Sequence, residues 1–197
     1  MIQHAFGLML KPRSEWEKIA PRAEKPMNIV YSLLLALLPC IAWYYGTTQV
    51  GWRVGDGEII LMTTDSASKI IVLFYLAMIC SVSIIGYFIH WMSATYGASS
   101  TLVKGISVAG YCATPLYFAG LLGFQPHFMA DLLIGLAAMA MSLYLLYTGI
   151  PIVMNVPKER GFLFASAIVG VCLVIFMALM GATVILWDIG FSPEFTN

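Results

Sequence analysis

The sequence predicts an all-α membrane protein: a bundle of five transmembrane helices with a short N-terminal interfacial helix and a small extracytoplasmic β-hairpin loop. Hydrophobic residues make up 60% of the chain and charged residues 10%, against about 45 to 50% and about 25% in soluble domains. Five apolar stretches each reach about 19 residues, enough to cross roughly 30 Å of hydrocarbon. Aromatic residues cluster where those stretches end, as expected at the headgroup layer.

The first element, residues 1–26, is a charged segment that we expect on the cytoplasmic side. Pro12 suits the first turn of a helix, and Trp16 and Ile19 fall on one face of it. Two placements remain open. The helix lies on the cytoplasmic leaflet with Phe6, Met9, Leu10, Trp16 and Ile19 toward the acyl chains, or it packs on the ends of the protein's own spans.

The next element, residues 27–187, is the transmembrane domain, and residues 188–197 form an extracytoplasmic tail. Charges return between the apolar stretches, which marks the connecting loops. The predicted spans cover residues 27–46, 70–91, 102–124, 132–154 and 162–187.

The loop after the first span predicts a β-hairpin. Two β-prone runs, Val50 to Val54 and Ile59 to Thr63, flank Gly55-Asp56-Gly57, which supplies the positive-φ residues of a tight turn. Two strands alone are marginal in water, so we expect the hairpin to rest on span ends or on the bilayer surface.

Spans three and four share a Tyr-x-x-x-Pro pattern, at Tyr111 to Pro115 and Tyr147 to Pro151. Proline cannot donate to the carbonyl four residues earlier, so we expect a kink at each site, with groups such as the Thr114 hydroxyl or a neighbouring helix supplying replacement donors. Small residues nearby, Gly149 among them, favour close helix packing. The two breaks are interpreted either as structural kinks or as halves of a midplane binding site.

Basic residues define the orientation. Eight of the ten Lys and Arg residues fall on the side of the N-terminus, which predicts a cytoplasmic N-terminus and, after an odd number of spans, an external C-terminus. Interfacial candidates on that side include Trp16, His90, Lys158 and Arg160. The last two belong to a tight turn before span five and are expected to set topology or to contact anionic lipid or a partner.

The sequence also excludes several classes of function. No nucleophile, metalloprotease or phosphate-loop motif is present, and no pair of carboxylates is suitably spaced. The four cysteines are scattered in apolar stretches without metal-ligand spacing. We therefore expect no catalytic residue, cofactor or metal, and the balanced charge gives no reason to expect nucleic acid.

Several strings in the sequence resemble the Yip family of integral membrane proteins. They are Leu10-Lys11-Pro12-Arg13 followed by Trp16, Gly110-Tyr111-x-x-x-Pro115, Tyr147-x-Gly149-Ile150-Pro151, and Gly46 to Trp52 with Gly55-Asp56-Gly57. The last string is similar to a bacterial inner-membrane branch formerly classed as a domain of unknown function. The resemblance implies a five-span fold in the bacterial inner (plasma) membrane, an uncharacterised membrane role and no catalytic residues.

The leading hypothesis is a non-enzymatic protein that organises membrane or scaffolds other membrane proteins. Its expected partners are the lipid bilayer and either other membrane proteins or further copies of itself. The alternative is a small-solute channel or transporter that uses the proline-broken spans three and four.

Overall fold

The computed structural model describes residues 2–52 and 58–196, which are mostly helical. The described residues form eight α-helices, joined by short 3₁₀ and π-helical turns. They are α1 (Ile2–Leu10), α2 (Pro12–Ile19), α3 (Met27–Tyr45), α4 (Thr64–Ser93), α5 (Leu102–Cys112), α6 (Thr114–Ala119), α7 (Phe128–Val153) and α8 (Lys158–Leu186).

Four of the described helices, α3, α4, α7 and α8 with their terminal turns, are long and apolar enough to cross a membrane. The number rises to five if α5 and α6 with its following 3₁₀ turn count as one span. Some helices extend past their apolar stretches. For example, α4 begins at Thr64 rather than Ile70, because the Thr63 side chain accepts a hydrogen bond from the Ser66 amide at 3.4 Å and caps a polar first turn.

The third span is broken where the sequence predicts. α5 and the helical segment after it meet at an angle of 41°, with Ala113 between them. Pro115 stands in the first turn of α6, where its missing N–H is least costly. The Ala113 carbonyl accepts from the amides of Leu116 and Tyr117, so the backbone resumes its hydrogen bonds directly after the bend.

The second predicted break is wrong. α7 continues through Pro151 to Val153. Pro151 lies in the last turn of that helix, and the amide of Met154 donates to the carbonyl of Ile150 at 2.9 Å. A proline so close to a helix end removes one hydrogen bond without redirecting much of the helix. Spans three and four are therefore not a matched pair of broken helices.

α5 packs tightly at the centre of the bundle because glycines let its backbone approach its neighbours. A Cβ built on Gly105 would lie 2.2 Å from the carbonyl oxygen of Gly86 on α4. One built on Gly110 would lie 1.8 Å from Ser32 Oγ on α3. A side chain at Gly105 would have to move the backbone of α4, whereas one at Gly110 would have to displace the hydroxyl of Ser32.

The helix connections gather at two opposite ends of the bundle. The basic end holds the N-terminal segment, the loop before α5 and the loop before α8. There Tyr96 stacks on Phe164, with ring centroids 4.8 Å apart. Eight of the ten Lys and Arg residues are at this end. The strand end holds the loop after α3, the start of α7 and the C-terminal tail.

The strand end contains a small antiparallel sheet that differs from the predicted hairpin. Trp52 and Ile60 do pair, and each amide donates to the other's carbonyl. The two-residue strand β1 (Leu61–Met62), however, pairs with β2 (Phe195–Thr196) from the C-terminal tail. Val50 belongs to a π-helical turn, and the predicted turn at residues 55–57 lies outside the described residues.

Candidate functional site

The N-terminal helix pair, α1 and α2, packs on the bundle at the basic end. Two helices form instead of one because Lys11 precedes Pro12, and the residue before a proline is disfavoured in a helix. Trp16 is 0% exposed, and Leu8 and Ile19 are also buried. The structure therefore shows the second placement, packing on the bundle, for Trp16 and Ile19, which do not face acyl chains. Phe6, Met9 and Leu10, the other residues of the expected acyl-facing set, are exposed.

Trp16 lies directly against Gly149 of α7. A Cβ built on Gly149 would come within 2.6 Å of Cε2 of the indole ring. The absence of a side chain at Gly149 therefore creates the space in which Trp16 sits. Trp16 and Gly149, which are far apart in the sequence, thus form one contact, which anchors α2 to α7.

Glu15 joins the two helices of the pair through a buried carboxylate. His4 Nδ1 lies 2.6 Å from its Oε1, and Lys18 Nζ lies 3.0 Å from its Oε2. Burial by itself would raise the pKa of Glu15, but the hydrogen bonds from His4 and Lys18 and their charges outweigh burial and lower the pKa. The carboxylate therefore stays ionised and holds α1 against α2.

Below Trp16, buried aromatic and polar side chains form the Tyr111 cluster, which consists of Asn28, Tyr31, Tyr111 and Thr114. Tyr111 donates a hydrogen bond to Asn28 Oδ1 at 3.0 Å. Its ring lies edge-on to Trp16, with centroids 6.1 Å apart, and against Tyr31 at 4.6 Å. The cluster therefore links α3, the bent α5–α6 pair and α2.

The same cluster fills the bend of the third span. Thr114 is 0% exposed, and its Oγ1 lies 2.8 Å from the hydroxyl of Tyr31. Asn28 in turn donates to the carbonyls of Arg22 at 2.9 Å and Ala23 at 3.3 Å. Because buried polar groups are costly when unpaired, these two sets of hydrogen bonds stabilise one packing of the helices around the bend.

The second Tyr-x-x-x-Pro motif packs elsewhere. The Tyr147 hydroxyl lies 3.0 Å from Ser166 Oγ, and its ring packs on Phe162 with centroids 5.2 Å apart. A Cβ built on Gly161 would lie 2.7 Å from Pro151 Cβ. Tyr147 and Pro151 thus join α7 to α8, whereas Tyr111 and Pro115 lie in the middle of the bundle.

The remaining interfacial candidates organise loops at the basic end. His90 Nδ1 lies 2.8 Å from the carbonyl oxygen of Ser100. A Cβ built on Gly97 would lie 2.7 Å from Arg160 Nη1, which places that side chain against the same loop. Lys158 is exposed in the first turn of α8. These residues are near one another but separate from the Tyr111 cluster.

The sequence analysis missed several members of the site. Glu15 was not singled out within the charged N-terminal segment, nor were Asn28 and Tyr31 within the first apolar stretch. A signal was available, since Asn28 and Tyr31 are three residues apart and so share one helix face, where an amide among apolar residues requires a partner. Within the described residues, no group of three or more His, Cys, Asp or Glu side chains could hold a metal ion.

Long apolar helices around a small buried polar cluster define this chain as a polytopic α-helical membrane protein. The Yip1 domain family model matches residues 6–179, and the chain belongs to that family. The Escherichia coli K12 protein named "Inner membrane protein YohC" is 35% identical over 193 residues, which cover 96% of this chain and 98% of that protein. The protein of the same name from E. coli O6:H1 matches equally. No solved structure matches this chain.

Proposed function

We propose that this protein is a non-enzymatic organiser of the bacterial inner membrane, which holds membrane-protein partners or further copies of itself at its basic end. The observation that carries the proposal is the docked N-terminal helix pair. Its inner face is buried on the bundle, while its outer face leaves Phe6 55% and Leu10 80% exposed. A fixed apolar surface beside basic residues is typical of a contact site for membrane or protein.

The position of this surface follows from the charges. Placing the basic end in the cytoplasm agrees with the excess of Lys and Arg there and with the short loops. The N-terminus is then cytoplasmic and the C-terminal tail periplasmic. The exposed residues of α1 lie beside α6, since Phe6 packs on Phe118 at 5.5 Å, so they meet the inner half of the bilayer.

The packing around the bend between α5 and α6 favours the organising function over a channel or transporter. A transport site at a broken helix needs polar groups that are free to bind a solute. Here the hydroxyls of Tyr31, Tyr111 and Thr114 are buried and bonded within the protein. An interior packed in this way is suited to presenting an outer surface in a constant geometry.

Photocrosslinking in cells tests the proposal. A photoreactive residue at Leu10, on the outer face of α1, is expected to form discrete adducts with a membrane protein or with a second copy of the chain. The same residue at Ile189, exposed at the strand end, is the control and is expected to form fewer. Absence of both kinds of adduct from Leu10 would contradict the proposal.

One observation favours the alternative of a small-solute channel or transporter, namely the 41° break of the third span with hydroxyl groups beside it. Liposomes that contain the purified protein discriminate the two functions. Under our proposal, they take up ions and small solutes no faster than protein-free liposomes. Uptake that depends on the Tyr111 hydroxyl would support the alternative.

A further inference from the structure

The C-terminal tail, residues 192–196, is bound at the strand end as an added strand. Its strand β2 pairs with β1 in antiparallel register. The amide of Thr63 donates to the carbonyl of Glu194 at 2.9 Å, which continues the pairing toward α4. The ring of Phe195 lies edge-on to Trp52, with centroids 5.7 Å apart. The tail is therefore held as an extended peptide is held at a sheet edge, by main-chain hydrogen bonds and a side-chain contact.

A buried serine in the first turn of α4 also holds the tail. Ser66 is 4% exposed. Its Oγ donates to the carbonyl of Ser192 at 3.4 Å and accepts a hydrogen bond from the amide of Glu194 at 3.1 Å. Lys69, one turn further along α4, lines the same small hollow as Glu194, and the two opposite charges attract each other. The start of α4 thus binds both the backbone and a charge of the tail.

Two residues give the tail the conformation that this site requires. Gly190 has φ 98° and ψ 14°, a left-handed conformation that glycine adopts at little cost, and it turns the chain out of α8. Pro193 disfavours a helical conformation at the residue before it, and Ser192 is extended, with φ −67° and ψ 149°. The chain therefore changes from helix to extended peptide directly before it reaches Ser66.

α8 is buried only in its half near the basic end. Its buried residues are Gly161, Phe164, Ala165 and Ile168. Within residues 169–191, all of which the structure describes, none is buried. The length from Ile168 to Leu186 is roughly 27 Å at about 1.5 Å per residue. Core packing thus fixes the first part of α8, while the far end of the helix is joined directly to the bound tail.

We propose that β1 and the first turn of α4 form a binding site for the chain's own C-terminal tail, and that the bound tail is a strap. The strap fastens the far end of α8 to α4. When the tail leaves the site, the far end of α8 separates from α4, while the basic end keeps its packing. The strap lies at the end opposite the organising surface, so this inference goes beyond the proposed function and does not rest on it.

Hydrogen–deuterium exchange of the full chain, measured by mass spectrometry in nanodiscs that hold one chain each, tests the strap. Ser66→Ala removes both hydrogen bonds between Ser66 and the tail. Exchange is expected to rise about fivefold or more in peptides that cover residues 60–66 and 187–196, the scale expected for the loss of these bonds. Ser68→Ala is the matched control, because Ser68 is exposed and its hydroxyl donates to the Asp65 carbonyl within α4. Its exchange should equal that of the wild type.

A second pair of variants tests the same contact from the tail. Phe195→Ala removes the ring that packs on Trp52 and should raise exchange in the same peptides. Phe176→Ala, at an exposed position in the far part of α8, should not. In every variant, exchange in α2 should stay as in the wild type, which shows that the chain remains folded and the basic end docked.

Four results would overturn the proposal. The first is equal exchange in Ser66→Ala and Ser68→Ala. The second is faster exchange of residues 60–66 without faster exchange of residues 187–191, since the tail would then not hold α8. The third is faster exchange of α2 together with the tail, since the release would then not be confined to the strand end. The fourth is a wild-type tail that is protected in nanodiscs with two chains and unprotected in nanodiscs with one, since a second copy would then supply the tail.

Discussion

Gly149 leaves no room for a methyl group, because an added Cβ would lie 2.6 Å from the buried ring of Trp16. Alanine at this position must push Trp16 out of its site or move α2. Overpacking of this kind costs about 1 to 3 kcal/mol. Alanine also stabilises a helix by about 1 kcal/mol relative to glycine, which offsets part of this overpacking cost. The overpacking cost is therefore measured against a second glycine-to-alanine substitution, at a position where the added methyl group contacts nothing.

Gly135 supplies that control, since it lies on the same helix and a Cβ there would meet nothing within 4 Å. We expect Gly149→Ala to unfold about 2 to 12 °C below Gly135→Ala in the same detergent, at roughly 2 to 4 °C per kcal/mol for a chain of this size. Trypsin should also cut after Arg13 faster in Gly149→Ala, because the helix pair is loosened. Equal melting temperatures and equal cleavage rates would refute the docking of Trp16 on Gly149.

Three further predictions concern other parts of the account. Tyr111→Phe leaves the buried Oδ1 of Asn28 without its hydrogen-bond donor and should lower the free energy of unfolding by about 1 to 3 kcal/mol, whereas Tyr144→Phe, at an exposed tyrosine, should change it little; equal losses in denaturant titrations would contradict the role of the cluster. Burial raises the pKa of Glu15, but the hydrogen bonds and charges of His4 and Lys18 outweigh burial and lower the pKa from its ordinary 4.5. The ionised Glu15 should therefore stabilise the docked helix pair fully above pH 4.5, and this stabilisation should be lost as the pH falls through the lowered pKa. Thermal melts should show this acid loss in the wild type and a flatter profile in Glu15→Gln; identical slopes would exclude Glu15 as its source. An alkaline phosphatase fused to the C-terminus should be active, as only an external C-terminus permits, and an inactive fusion with an active cytoplasmic reporter would reverse the orientation.

The sequence alone predicted a helical membrane protein, because a long apolar stretch can satisfy its backbone hydrogen bonds inside a membrane by forming a helix. It also located the break in the third span, because Pro115 lies mid-span where a missing hydrogen bond must bend the helix. The break expected at Pro151 failed for a local reason. That proline lies in the last turn of α7, and the sequence alone does not define the helix end closely enough to distinguish a bend from a terminus.

The candidate site was less accessible from sequence because it depends on contacts between distant segments. Tyr111 and Gly149 were both singled out, but nothing in their spacing shows that Trp16 lies between them. The role of Glu15 could not be predicted from the sequence for a related reason. A carboxylate beside two basic residues is typical of a solvated helix face, and only the docking of α1 on α2 buries it. The pairing of β1 with the C-terminal tail was missed because a nearby hairpin partner was available in the sequence.

The most direct test of the account combines docking with function. Photocrosslinking from Leu10 is performed in the wild type, in Gly149→Ala and in Gly135→Ala at equal membrane abundance. If the docked helix pair presents the partner surface, adducts form in the wild type and in Gly135→Ala and fall sharply in Gly149→Ala. Adducts of equal yield in all three chains, or in none, would contradict the claim that this docked surface organises partners.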